Sequence, residues 1–262
     1  MGAQDIGIFE LIIAYATLLI SIGILRFLKI NLFKDLVTSF SRMTIQLLLV
    51  GLYLSYIFKY NSLWLNCLYI LIMMAAANHS LLKNSGLKLQ LFSFTFPSLL
   101  IGIGGVLAYF TLLVFKPEPM YDAKYMIPVA GMLLGNSMNR TIVTLERFYN
   151  SIKQDNEGYV SLVTMGGSVS ESIMPYFRTA YKAGIAPTLA NFATIGLVSL
   201  PGMMTGQILG GSTPMVAIKY QIVILLAIYI ATEISTILAV LFSLKRGFNR
   251  FGFLRHEIFK NS

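Results

Sequence analysis

Long apolar stretches separated by short polar breaks dominate the chain. Seven of them approach or exceed the roughly 20 residues that a helix needs to cross a hydrocarbon core of about 30 Å. The turn composition near Asn61 and around 210–214 separates neighbouring stretches. The predicted spans are 6–25, 43–60, 62–80, 90–115, 124–145, 188–211 and 217–243. The pattern therefore predicts an all-α, polytopic membrane protein with about seven transmembrane helices, built as one transmembrane domain over residues 1–262.

The composition supports a membrane environment. Hydrophobic residues make up 56% of the chain and charged residues only 12%, whereas an ordinary soluble domain is about 25% charged. So few charges exclude a disordered chain and a nucleic-acid-binding domain, although the formal net charge is +9. We expect the lipid bilayer as partner, no nucleic acid, and a multi-pass location in the cell (plasma) membrane.

The basic residues predict an orientation. When the seven spans alternate across the bilayer, 16 of the 20 Lys and Arg fall on one side, Arg140 among them. Only Lys59, Lys116, Lys124 and Lys219 fall on the other side. Because positive charge accumulates in cytoplasmic loops, the N-terminus is expected outside and the C-terminus in the cytoplasm.

The longest cytoplasmic connection, about 146–187 between the fifth and sixth spans, has helical character. Gly166 and Gly167 are expected to end one helix, and Ser168 with Glu171 forms the S-x-x-E capping box of the next. The second helix has an apolar face. Its residues are Val169, Ile173, Tyr176, Phe177, Ala180 and Tyr181. Such an amphipathic helix lies on lipid, docks into a partner, or packs on its own subunit.

Motifs for catalysis and nucleotide binding are missing from the sequence. It contains no G-x-x-x-x-G-K-[ST], G-x-S-x-G, H-E-x-x-H or C-x-x-C, and its two histidines, His79 and His256, lie far apart. The sequence therefore predicts no enzyme, no catalytic residues and no cofactor bound by this chain. Energy for any pumping must come from a partner or from an ion gradient.

Polar residues inside the spans are candidates for function. Glu233 lies in the interior third of the last span. It is either a cation or proton site, or a packing acid bonded to Thr232, Thr236 or a neighbouring helix. Asn136 and Asn139 in the fifth span either contact substrate or form hydrogen bonds between helices.

The sixth span contains a break in mid-membrane. Pro201–Gly202 interrupts helical hydrogen bonding, which is tolerated where the backbone lines a cavity or is buried in protein. Met203, Met204 and Gln207 follow the break. Thioethers suit soft metals, but Met is also a common packing residue, so the metal ligands stay unknown. The Gly131/Gly135 and Gly206/Gly210 pairs suit close helix packing.

Three runs of residues resemble the permease subunit of the FetB-type ABC transporter family. They are 126–139, Met165–Gly166–Gly167–Ser168, and 196–222 with Leu200–Pro201–Gly202–Met203–Met204 at its centre. The resemblance also extends to plant permeases linked to aluminium tolerance. The chain departs from the family at Gly167, where Ala is usual, and at Ser168–Val169, where Thr-Pro is common.

The resemblance implies a function. The chain would be a permease exporting iron or another metal ion, working as a homodimer with a separate cytoplasmic subunit that binds ATP and Mg. The segment from about 157 to 187 would dock that subunit through Glu157, Gly166, Gly167, Ser168 and Glu171.

Three alternatives stay open. They are an ion-coupled secondary transporter that uses Glu233, an ABC permease for a non-metal substrate such as a nucleotide sugar, and a seven-span receptor. The receptor predicts no ATPase partner and needs no amphipathic loop.

Overall fold

The computed structural model describes residues 6–260, and these residues are mostly helical, with isolated β-bridges and no strand among them. The α-helices are α1 (Ile8–Ala16), α2 (Leu18–Phe27), α3 (Phe33–Tyr60), α4 (Leu63–Asn84), α5 (Phe92–Leu99), α6 (Gly105–Phe110), α7 (Ala123–Gln154), α8 (Asn156–Thr164), α9 (Val169–Thr194), α10 (Gly202–Leu209) and α11 (Pro214–Gly247). Two π-helical segments, Leu100–Gly104 and Thr111–Phe115, connect and extend α5 and α6.

Five helical stretches within residues 6–260 are long and apolar enough to cross a membrane. They are Ile8–Phe27, Phe33–Tyr60, Leu63–Asn84, Leu89–Phe115 and Pro214–Gly247. These stretches overlap the first four predicted spans and the last one. The all-α fold class and its polytopic membrane character are therefore confirmed.

The predicted fifth and sixth spans look different in the structure. The fifth, 124–145, lies within α7, which carries polar residues at its middle and is not among the five apolar stretches. The sixth, 188–211, is divided, because α9 ends at Thr194 and α10 starts at Gly202. The break predicted at Pro201 is confirmed, but it begins earlier. Gly196 has a φ of 86°, which favours glycine and ends helical geometry.

Helices α7 and α11 run parallel and share a seam of hydroxyl hydrogen bonds. Ser137 pairs with Thr232 at 3.1 Å and Thr141 with Thr236 at 2.9 Å. One end of the seam is the Tyr149 hydroxyl, which donates to Ser243 Oγ at 2.7 Å. Residue numbers rise together on both helices, which fixes their parallel direction. These paired hydroxyls satisfy polar groups that would otherwise be buried without partners.

Helix α9 packs against α7 in the opposite direction. Phe177 meets Phe148 edge to face, and further along α9 Tyr181 lies against Arg140. As residue numbers rise on α9, the residues that they contact on α7 fall. Helix α9 therefore runs continuously from the α8–α9 turn into the middle of the helix bundle.

Residues 248–260, the return segment, fold back over one end of the bundle. The Lys88 N–H donates to Ile258 O at 2.8 Å, and the Lys260 N–H donates to Gly86 O at 3.0 Å. Phe248, Leu254 and Ile258 are buried in a cluster with the ends of α4, α7 and α11. The return segment therefore closes the core at the end of the bundle where α8 and the start of α9 also lie.

Candidate functional site

A buried ion pair joins three helices at the centre of the molecule. Arg140 Nη2 donates to Glu233 Oε1 at 2.5 Å, and the Tyr181 hydroxyl donates to Glu233 Oε2. The Arg140 guanidinium also lies 4.8 Å from the centre of the Tyr181 ring. The side chain of Arg140 is 2% exposed and that of Glu233 is 19% exposed. We call Arg140, Tyr181 and Glu233 the central triad; it connects α7, α9 and α11.

The central triad corrects one prediction and refines another. Counting Arg140 among the basic residues of the cytoplasmic loops is wrong, because it lies about 25 Å from the start of α7 and is buried. Glu233 bonds to neighbouring helices, through Arg140 on α7 and Tyr181 on α9, which is one of the contacts expected for a packing acid. Thr232 and Thr236 instead bond to Ser137 and Thr141 on α7.

Burial makes the pairing of these charges important. An isolated charge in an apolar interior is expensive, and removing one partner from a buried pair typically costs about 3–5 kcal/mol. Arg140 Nε and Nη1 have no hydrogen-bond partner in the structure, so Glu233 is the main compensation for this cation.

Helices α7 and α9 approach each other closely beside the triad, at Gly184. A methyl group at Gly184 would overlap Thr144 Oγ1 and lie 3.4 Å from Arg140 Cγ. Gly184 is not among the residues predicted from the sequence. The sequence feature that indicates close packing here is the pair of small residues Ala180 and Gly184, which are four residues apart on one helix face. By contrast, a methyl at Gly135 or Gly206 meets nothing within 4 Å in this chain.

The other predicted pathway residues lie on two separate elements. On α7, Asn136 donates to Met132 O at 2.9 Å within its own helix, and both Asn136 and Asn139 are exposed. Pro201 is the residue that precedes α10. On α10, Met204 is buried, Met203 packs on an apolar cluster of α7 and α11, and Gln207 Oε1 is buried without a partner. Among the hydrogen bonds of the described residues, none joins the two groups.

No metal cage is preassembled in the part of the chain that the structure describes. Residues 6–260 contain no group of three or more His, Cys, Asp or Glu side chains able to hold an ion. The contacts of Met203 are apolar packing contacts. Metal ligation by Met203 or Met204 therefore stays a prediction.

The α8–α9 turn has the geometry that the sequence predicts. Gly166, with a φ of 93°, follows the end of α8. The Glu171 N–H donates to Ser168 Oγ at 3.3 Å, and the Ser168 N–H donates to Glu171 Oε2 at 2.9 Å. The capping box and the helix start after Ser168 are confirmed. Gly167 N–H donates to Leu162 O, which closes the turn.

The capping box is sensitive to acid. Hydrogen bonds from the Ser168 hydroxyl and the Ser168 backbone N–H hold the pKa of Glu171 below its usual value of 4.5. Because the folded pKa is depressed, this stabilisation is present in full above that value and is lost as the pH falls through the folded pKa. The turn is therefore fully capped at neutral pH.

We expect Ser168→Ala to loosen the start of α9. Losing the side-chain acceptor leaves the Glu171 N–H without its cap, which typically costs about 1 kcal/mol, or roughly fivefold in local opening. Hydrogen exchange of the amides of residues 169–172 measures this change. Ser161→Ala, whose hydroxyl bonds only within α8, is the matched control. Equal exchange rates in both variants would contradict a capping role for Ser168.

The apolar face of α9 packs on its own subunit. Ile173 and Ala180 are buried, while Val169, Tyr176 and Phe177 are half-buried against the same core cluster. This face was expected to lie on lipid, to dock into a partner or to pack on its own subunit, and the structure shows the packing. At the tip of the segment, Glu157 at the start of α8 and Met165 in the turn are exposed.

Comparisons with known proteins agree with the membrane character of the fold. The chain is 30% identical to the "Probable iron export permease protein FetB" of Escherichia coli, over 98% of this chain and 97% of that protein. It is 31% identical to a UPF0014 membrane protein of Synechocystis, over 88% of this chain and 89% of the relative. It is also 30% identical to the "Protein ALUMINUM SENSITIVE 3" of Arabidopsis thaliana, over 80% of this chain and 76% of that protein.

No solved structure matches the chain. The family described as "Uncharacterised protein family (UPF0014)" matches residues 8–248 of the chain. This match covers nearly all of the helices described above, including the central triad, the α8–α9 turn and the break before α10. The chain therefore belongs to the UPF0014 family of membrane proteins.

Proposed function

We propose that this chain is the membrane-spanning permease subunit of an ABC transporter that exports iron or another metal ion. It lies in the plasma membrane, and a separate cytoplasmic subunit hydrolyses ATP with Mg. The similarity to the E. coli protein, named a probable iron export permease, supports this over nearly the whole chain. The observation that carries the proposal is the central triad, because it ties α9 to α7 and α11 in the bundle interior.

The proposed topology has seven crossings with the N-terminus outside. The five apolar stretches supply five of these crossings, and α7 and the pair α9–α10 supply the other two. The parallel direction of α7 and α11, with α9 antiparallel to α7, supports alternating crossings. This arrangement places the α8–α9 turn and the return segment on the cytoplasmic side.

Movement passes from the cytoplasm into the bundle along α9. This helix has 26 residues, and its length of about 39 Å exceeds the thickness of the hydrocarbon core. It connects the docking turn at Ser168 directly to Tyr181 and Gly184. Closure of the ATP-binding subunits shifts the turn, and the bundle then changes between two arrangements.

A homodimer supplies the second wall of the substrate path. ATP-binding subunits close in pairs, so two permease subunits provide two docking turns. The exposed Asn136 and Asn139 on α7 face outward from this chain, where they contact a second copy or a water-filled path. Pro201, Met203, Met204 and Gln207 extend this candidate path along α10, and Glu233 borders it at the centre.

Reconstitution tests the function directly. The purified chain and its ATP-binding subunit are placed in proteoliposomes, and ATP hydrolysis and metal flux are measured with iron, other metals and nucleotide sugars. We expect iron or another metal to raise hydrolysis and to move with it. If only a nucleotide sugar stimulates ATP hydrolysis, the transported substrate is that nucleotide sugar and not a metal. Equal hydrolysis with and without every one of these compounds would contradict the export function.

Glu171→Lys is expected to uncouple the transporter while leaving it inserted in the membrane. The substitution removes the carboxylate that accepts from Ser168 and reverses the charge at the docking turn. Substrate-stimulated ATP hydrolysis should fall severalfold in the reconstituted complex. Glu146→Lys makes the same charge change on α7, away from the turn, and should keep wild-type stimulation. A Glu171→Lys complex with wild-type stimulation would argue against docking at this turn.

A further inference from the structure

Several exposed apolar side chains lie outside the membrane-spanning part of the bundle. Met165 in the α8–α9 turn is 85% exposed, and Phe251 in the return segment is 77% exposed. Leu162 and Phe253 next to them are also exposed. Lipid explains exposed apolar residues on the membrane helices. A cluster of them in water instead marks an interaction surface.

On the proposed topology, the length of α7 places these residues beyond the hydrocarbon core. Helix α7 has 32 residues and is about 48 Å long, so it extends past a hydrocarbon core of about 30 Å. Tyr176 donates to Asp155 at 2.7 Å, just after the end of α7. Ser168 lies eight residues before Tyr176, about 12 Å farther from the bundle. The turn is therefore out of reach of the lipid acyl chains.

The return segment is fixed against this turn. The Tyr159 hydroxyl donates to Gly252 O at 2.7 Å. A methyl at Gly252 would lie 3.0 Å from Val169 Cγ2 and 3.4 Å from Val163 Cγ1, so the loop is in contact with both α8 and α9. Burial raises the pKa of Tyr159 to about 12, which keeps its hydroxyl a donor at neutral pH.

The loop also has a defined shape. Asn249 Oδ1 accepts from the N–H groups of Phe251 and Phe253, each at 2.9 Å. These two bonds hold the chain in a tight Asx-type turn with Phe251 at its tip. The Phe251 ring is therefore presented to water by a braced loop, so little ordering is lost when a partner binds it.

Basic residues flank Phe251 along the chain. Lys245, Arg246 and Arg250 are exposed, and Arg255 is half-buried. Among residues 6–260 the one ion pair is that of Arg140 with Glu233, so these four cations have no acidic partner in an ion pair. An aromatic anchor with a basic border suits a partner that offers an apolar pocket with acidic side chains around it.

We propose that residues 249–253 and the α8–α9 turn form one composite docking surface for the ATP-binding subunit. Met165 and Phe251 are its two apolar anchors, and Arg250 pairs with an acidic residue of the partner. The inference rests on the proposed function and adds to it, because the contact is assigned to a second segment about 85 residues further along the chain. Tyr159 is a positioning residue that holds the second segment in place.

Binding to the purified ATP-binding subunit tests the composite surface. That subunit is identified by its P-loop, expressed separately, and titrated onto the full-length chain in lipid nanodiscs. We expect Phe251→Ser and Met165→Ser each to weaken affinity about tenfold or more, as buried anchors do. Met120→Ser, an exposed residue before α7, is the matched control and should bind as the wild type does.

The charge contribution has its own signature. Arg250→Glu should slow association, and the difference from wild type should shrink as the salt concentration rises. Lys124→Glu, an exposed basic residue at the start of α7, should leave association unchanged. Equal association rates for the wild type and Arg250→Glu at low salt would mean that Arg250 is not part of the docking surface.

A fluorescent probe separates protein docking from lipid binding. Trp64 is the single tryptophan, so a Trp64→Phe, Phe251→Trp chain reports only on residue 251. Its emission should shift to shorter wavelength when the ATP-binding subunit is added. A shift in phosphatidylserine-containing nanodiscs without that subunit would assign the loop to the membrane surface and overturn the inference.

The outcomes also separate the inference from the proposed function. If the wild type binds the subunit and Met165→Ser weakens binding, while Phe251→Ser binds as the wild type does, the composite surface is wrong and the proposed function stands. If the wild-type chain does not bind the subunit, the proposed function itself fails.

Discussion

Arg140→Leu should destabilise the protein by about 3–5 kcal/mol, the usual cost of leaving one member of a buried ion pair without its partner. The substitution removes the cation that compensates Glu233 between α7 and α11. The double variant with both Arg140→Leu and Glu233→Leu should lose less stability than Arg140→Leu alone, because neither charge is then left uncompensated. Thermal unfolding in detergent, run as a double-mutant cycle, measures this difference.

The control for this prediction lies on the same helix. Arg147 on α7 is exposed, so Arg147→Leu should change stability by less than about 1 kcal/mol. Equal losses for Arg140→Leu and Arg147→Leu would mean that the pair contributes nothing beyond a surface charge. A double variant that recovers stability without recovering metal flux would separate folding from transport at the triad.

Gly184→Ala should destabilise the packing of α9 on α7 by about 1–3 kcal/mol, the range for overpacking a close contact. The added methyl overlaps Thr144 Oγ1 and crowds Arg140. Alanine also favours the helix by up to about 1 kcal/mol over glycine, so a net loss reports the steric clash. Metal-stimulated ATP hydrolysis should fall with it, because α9 is displaced beside Tyr181.

Gly135→Ala is the matched control for this substitution. Gly135 lies on α7, and a methyl there meets nothing within 4 Å in the chain. We expect stability to stay unchanged or to rise by up to about 1 kcal/mol. If Gly184→Ala unfolds at the same temperature as Gly135→Ala, the close approach of α9 and α7 is not what stabilises this part of the bundle.

Local features of the structure could be predicted from the sequence. The capping box at Ser168 and Glu171 depends on residues three positions apart, and the break at Pro201 depends on one residue without a backbone N–H. The apolar spans follow from composition over about 20 residues. Each of these signals is contained within a short window of the chain, and the structure has the capping box, the break and five of the apolar spans.

Features that join distant residues could not be predicted in this way. Arg140 and Glu233 are 93 residues apart, and counting basic residues by side treats every arginine as part of a loop. The apolar face of α9 is visible as a pattern, but the pattern does not say what covers it. The return segment has no regular periodicity because it is held by backbone bonds to Gly86 and Lys88 and by single buried side chains.

The position of Tyr181 on α9 has a mechanical consequence. Tyr181 lies 12 residues after Val169 and 13 before Thr194, so its bond to Glu233 holds the helix at its midpoint, with arms of about 18 and 20 Å. Pro175 and Pro187 lie on either side of this midpoint, each six residues from Tyr181, and each removes one helical hydrogen bond. The central triad therefore anchors the part of α9 between the two positions at which the helix can bend.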